Sequence, residues 1–125
     1  MQSTVFWIRS GALLAALAIV TGAFGAHGLA GQLSPAMMSV YEKAAHYHAY
    51  HALGLFVVAF VREYRPEARR AVWAGRLMLA GIIFFSGSLY ALSLTGLPWL
   101  GAVTPIGGLA FIAAWLMLFL AVSRS

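Results

Sequence analysis

Three histidines, two tyrosines, a glutamate and a lysine fall within ten residues, Glu42 Lys43 Ala44 Ala45 His46 Tyr47 His48 Ala49 Tyr50 His51, of a chain that is 62% hydrophobic and 9% charged. Imidazoles three or four residues apart on a helix are neighbours, able to share a ligand, pass a proton or bond to one another. Polar atoms held at membrane depth without partners are costly, so such a cluster demands either partners or a purpose.

On a helix with Glu42 at zero, His46, Tyr50, Tyr47, His51 and His48 fall at roughly 40°, 80°, 140°, 180° and 240°. This is too wide for one stripe and divides into two neighbourhoods, Glu42 with His46 and Tyr50, and Tyr47 with His51 and His48. The spacing of Glu42 and His46 suits a local charge-assisted hydrogen bond. His48 and His51 are close enough to share a ligand, and His27 offers a third imidazole. Against a metal centre stand the lack of any acid but Glu42 at this level and the absence of a His-Glu-x-x-His arrangement, so neither metal nor cofactor is expected. Ser86 and Ser88 lie on another helix with no nucleophile elbow and no orienting acid, so no catalytic residue is assigned.

The elements that must position these groups are apolar runs. The 125 residues carry no cysteine and have a mean hydropathy of +0.87, which places the chain in the integral-membrane class and excludes disulfide scaffolds and thiolate chemistry. A net charge of +5 resides on residues at the ends of apolar runs and forms no basic face with interleaved aromatics, so nucleic acid is not an expected partner.

Four spans are predicted, at about 5–29, 39–62, 72–95 and 104–122, making one all-α domain, a polytopic four-transmembrane-helix bundle. The first could also be read as a secretory leader, with Arg9 before an apolar core and small residues at 23–26; it is expected to be retained as a span. It ends in Gly22 Ala23 Phe24 Gly25 Ala26 His27 Gly28, where glycines three apart permit close backbone packing. Ser34 and Pro35 read as the N-cap and first residue of a second helix reaching about Glu63, which puts His51 about 12 Å deeper than Lys43. Tyr90, on the third span beyond Ser86 and Ser88, falls at a similar depth. Ser86 and Ser88 would be satisfied by their own backbone. Thr104 and Pro105 repeat the cap signal for the fourth span, with Gly107 and Gly108 in its first turn. Arg9, Arg62, Arg65, Arg69, Arg70, Arg76 and Arg124 fall on one side of this layout. By the positive-inside rule the chain is expected to be a multi-pass membrane protein with both termini and the central loop cytoplasmic.

Taken together, Gly22 to Gly28, then Tyr47 His48 with His51 Ala52 Leu53, then Phe85 Ser86 Gly87 Ser88 Leu89 Tyr90, then Thr104 Pro105 Ile106 Gly107 Gly108 resemble the YgdD-like family of small bacterial membrane proteins, related to the eukaryotic transmembrane protein 256. The resemblance covers nearly the whole chain. It implies four membrane helices in the bacterial inner (plasma) membrane and supplies no reaction. It also sorts the polar residues: His27, Tyr47, His51, Ser86, Ser88, Tyr90, Thr104 and Pro105 match the motifs, whereas His46 and, less clearly, His48 stand outside them. A hydrogen-bonded core built from His27, Tyr47, His51 and Tyr90 is the implied arrangement.

The functional expectation is a non-enzymatic helical module whose outer-half polar core, His27, Tyr47, His48, His51, Ser86, Ser88, Tyr90 and Thr104, binds a membrane lipid, a quinone, a further copy or another membrane protein. The alternative is a small oligomeric transporter or channel that passes protons or solute along histidines and tyrosines. No inverted repeat and no polar stripe through the inner half support the latter.

Overall fold

The computed structural model describes residues 3–123. Helix α1 spans Thr4–His27 and begins where Ser3 caps it, the Ser3 hydroxyl accepting from the Phe6 amide at 3.1 Å. Helix α2, Pro35–Tyr64, starts at the Ser-Pro signal, with Ser34 Oγ accepting from the Met37 amide at 3.1 Å. At 30 residues it extends about 45 Å and outruns the hydrocarbon core.

The third span, Arg69–Thr95, is not one regular helix. It consists of α3, Arg69–Gly81, a π turn over Ile82–Ser86, and α4, Gly87–Thr95. Gly96, with φ of 74°, closes it in the left-handed region that a β-carbon would disfavour. A 3₁₀ turn, Pro98–Ala102, leads into α5, Thr104–Val122. These are four helical spans long and apolar enough to cross a membrane. The chain is an all-α, four-span membrane bundle.

Helix α2 is central. Helix α1 packs along one side of it, the third span along another, and α5 packs mainly on α3 and the π turn. The half of the bundle nearer the chain termini is apolar and closely packed: Trp7, Leu55, Val58 and Met78 are fully buried, with Ala74 and Ala114 filling the space between helices. Trp7 reaches across to α3 because position 75 is glycine, where a β-carbon would come within 2.4 Å of the indole. The tightest backbone contact lies in the opposite half, at Gly107, where a β-carbon would meet Phe85 N at 2.2 Å. Helix α5 therefore lies directly on the backbone of the π turn.

Thr104 corrects the capping expectation. It is the first residue of α5, the N-cap position falls on Val103, and no side chain caps this helix. The reason is that the Thr104 hydroxyl is engaged with Ser88, as described below. The expectation for Arg124 lies outside the described residues.

Candidate functional site

The polar layer divides across α2 into two clusters that share no hydrogen bond. On the side of α1 and α4, the Tyr90 hydroxyl sits 2.9 Å from Thr21 Oγ1 and 2.9 Å from His48 Nδ1. Tyr41 donates to the Thr21 carbonyl at 2.5 Å, and its ring meets that of Tyr90 edge-on at 5.2 Å. Thr21 also reaches the Ala18 carbonyl at 3.1 Å. Two proton arrangements satisfy this chain. In one, Thr21 donates to Ala18, Tyr90 donates to Thr21, and His48 Nδ1–H donates to Tyr90. In the other, Thr21 donates to Tyr90 instead of Ala18, Tyr90 donates to His48 Nδ1, and His48 carries its proton on Nε2, which has no hydrogen-bond partner among the described residues.

On the α5 side, the arrangement at His51 admits one tautomer. A carbonyl can only accept, so the 2.8 Å contact between His51 Nδ1 and the Tyr47 carbonyl places a proton on Nδ1. The Trp115 indole N–H donates to His51 Nε2 at 3.0 Å, so that nitrogen is unprotonated. The imidazole is neutral, 2% exposed, and stacked on Phe111 at a centroid distance of 3.5 Å and an interplanar angle of 8°. Both nitrogens are occupied, which leaves neither a lone pair for a metal nor a free proton to pass on.

The outer surface of this second cluster is a groove of about 320 Å³ walled by Tyr47, Tyr50, Phe85, Phe111 and Trp115, with His51 set into its wall. The Tyr47 ring lies 4.8 Å from Phe85 and 6.2 Å from His51, and Tyr50 lies 6.2 Å from Trp115. The Tyr47 and Tyr50 hydroxyls have no hydrogen-bond partner among the described residues.

The structure regroups the expected residues. His48, which the family motifs left aside, is the histidine that meets Tyr90, whereas His51 turns to α5. Although they stand only three residues apart on α2, His48 meets Tyr90 of α4 and His51 meets Trp115 of α5, so their rings turn to different partners. His27 joins neither cluster; it is the exposed last residue of α1. Tyr47 contributes its carbonyl and ring to the second cluster. Ser88 and Thr104 pair at 2.6 Å, Thr104 donating when Ser88 donates to the Phe85 carbonyl at 3.0 Å. Ser86, expected to be satisfied by its own backbone, is fully buried in the π turn with no partner for its hydroxyl. Glu42 and His46 form no hydrogen bond among the described residues, and the His46 ring instead stacks on Tyr50 at 6.3 Å. No group of three histidines and acids among the described residues could hold a metal.

Thr21, Tyr41, Phe111 and Trp115 were not singled out from sequence. Tyr41 is seven residues before His48, the same helix face, so its membership was readable. Nothing in the sequence pairs Trp115 with His51.

Residues 21–108 match the family described as protein of unknown function (DUF423). The chain belongs to this family. Among its DUF423-like relatives, the UPF0382 membrane protein YwdK of Bacillus subtilis strain 168 is 51% identical over 115 residues, covering 92% of this chain and 94% of the relative. The UPF0382 membrane protein SH2409 of Staphylococcus haemolyticus is 52% identical over 114 residues, covering 91% and 92%. SERP0230 of Staphylococcus epidermidis, named likewise, is 53% identical over 115 residues, covering 92% and 93%. No solved structure matches the chain. The DUF423 family match spans Thr21, the histidines of α2, Tyr90 and Gly107, so both polar clusters lie largely within it; Phe111 and Trp115 lie just beyond.

Proposed function

We propose that this DUF423 protein is a non-enzymatic membrane module that holds the ring of an isoprenoid quinone in the groove between α2 and α5. The supporting observation is the groove itself: aromatic faces made rigid by the doubly bonded His51, with two unengaged phenol hydroxyls at Tyr47 and Tyr50. A planar ring carrying two carbonyl acceptors suits flat apolar walls and two donors, while an isoprenoid tail suits the surrounding hydrocarbon. A plain acyl chain would leave both hydroxyls unmatched.

The same reading places the chain in the inner membrane with both termini and the loop between α2 and α3 in the cytoplasm, following the arginines. Passage of protons or solute through a single copy is disfavoured by the closed inner half around Trp7, Leu55, Val58 and Met78. Flux through an assembly of copies is the competing reading.

The test is titration of nanodisc-embedded protein with a quinone bearing a single isoprene unit. Saturable binding is expected, weakened roughly tenfold in Tyr47→Phe/Tyr50→Phe, which removes two hydrogen bonds and little volume. Binding indistinguishable between the two proteins, or none above empty discs, would contradict the proposal. Proteoliposomes carrying a proton-sensitive dye decide the competing reading, which requires flux.

A further inference from the structure

The loop between α2 and α3 is four residues, 65–68, and its charges are not equivalent. Arg62 is committed, its guanidinium donating to the Pro66 carbonyl and pinning the turn. Glu63 is committed as well, accepting from the Thr4 hydroxyl at 3.0 Å and tying the start of α1 to the end of α2. Arg65, Arg69 and Arg70 remain. None of their side chains has a hydrogen bond or ion pair among the described residues, and all three line one concavity of about 270 Å³.

The rest of that concavity decides what it suits. Glu67 is its only acid among the described residues, so three guanidiniums face one carboxylate there. Ser123 lies at its edge, its hydroxyl donating to the Phe119 carbonyl and keeping its lone pairs free. Leu120 and Ala121, at the end of α5, supply an apolar wall that continues down the span, and Leu120 is 42% exposed on that surface. The first turn of α3 has no capping side chain and no acidic residue that would repel an anion there.

We propose that this corner binds the phosphodiester headgroup of an anionic phospholipid, with Arg65, Arg69 and Arg70 on the phosphate and an acyl chain along Leu120. Guanidinium forks match phosphate oxygens in pairs, and basic residues at the membrane surface each raise affinity for anionic lipid. Glu67 and Ser123 provide acceptors for the hydroxyls of a glycerol headgroup. A choline headgroup carries no donor for them and no net negative charge. The site is on the opposite membrane face from the quinone groove and is independent of it.

The experiment is native mass spectrometry of the full chain in neutral detergent, titrated with phosphatidylglycerol, with phosphatidylcholine of the same acyl chains, and with inorganic phosphate. Phosphatidylglycerol is expected to be retained preferentially. In Arg69→Gln/Arg70→Gln its affinity should fall about thirtyfold, roughly a fivefold factor for each arginine. Lys43→Gln/Arg76→Gln, of the same net charge, should keep it. Arg69→Lys/Arg70→Lys preserves the charges that orient the chain and should lose a few-fold, because an ammonium lacks the planar fork. Circular dichroism melts of each variant establish that it folds. Equal retention of the two lipids, or unchanged phosphatidylglycerol binding in the double glutamine variant, would overturn the proposal. Inorganic phosphate displacing the lipid at similar concentration would also overturn it, by showing a free-anion site.

Discussion

A neutral imidazole has one donor and one acceptor, and at His51 both are used by groups that can play only one part: the Tyr47 carbonyl accepts and the Trp115 indole donates. Nitrogen NMR of ring-labelled protein should therefore show a protonated Nδ1 and a bare Nε2. Trp115→Phe keeps an aromatic ring but leaves Nε2 buried without a donor, and should lower stability by about 1–3 kcal/mol in detergent unfolding. His48 contrasts with it, because its chain through Tyr90 and Thr21 admits two proton arrangements. Tyr90→Phe removes the hydroxyl on which that chain depends and should destabilise by about 1–3 kcal/mol, whereas Tyr47→Phe, whose hydroxyl bonds nothing among the described residues, should leave stability unchanged. The difference between the two histidines was not legible in the sequence. Their spacing shows that both lie on the buried half of α2, but which neighbour each meets depends on helices arriving from positions 21, 90 and 115.

That the chain forms four helical spans was legible, because apolar runs, Ser34-Pro35 and the basic turn are local features. The π turn was not: Ile82–Ser86 reads as ordinary apolar helix, and the extra residue per turn becomes visible only where Gly107 lies on the Phe85 backbone. The turn rotates α4 relative to α3 and so sets the directions of Ser88 and Tyr90. Deleting Ile83, which is 64% exposed, would restore a regular helix and turn one half against the other by about 100°. The expected result is loss of the Ser88–Thr104 and Tyr90–His48 pairings, seen as a lowered melting temperature exceeding that of Ile83→Ala. Close packing gives a second test at this scale. Gly107→Ala should cost about 3 kcal/mol, because backbone must move, while Gly108→Ala, whose nearest contact would be 3.7 Å, and Gly22→Ala, with nothing within 4 Å, should be near neutral in the same melts.

At the scale of the whole molecule, the bundle combines an apolar half near the chain termini with a polar and aromatic half at the other end, and Arg65, Arg69 and Arg70 gather at the end nearer the termini. The orientation that follows is open to direct measurement because the chain has no cysteine. A single cysteine at Glu67 should be labelled by an impermeant maleimide only after cells are opened, and one at Gln32 in intact spheroplasts. Composition made the membrane class and the arginine asymmetry readable, but not the division of the polar layer into two clusters and a groove, since that depends on where α5, packed on α3 and the π turn, arrives beside α2. The central claim is that this groove receives a quinone ring. A structure of the protein extracted from its native membrane with minimal detergent tests it most directly. The account predicts planar density between Tyr47, Tyr50 and Trp115, lying against the Phe111 wall with a tail leading into the bilayer; a groove filled by acyl chains alone, or by a helix of another copy, would contradict it.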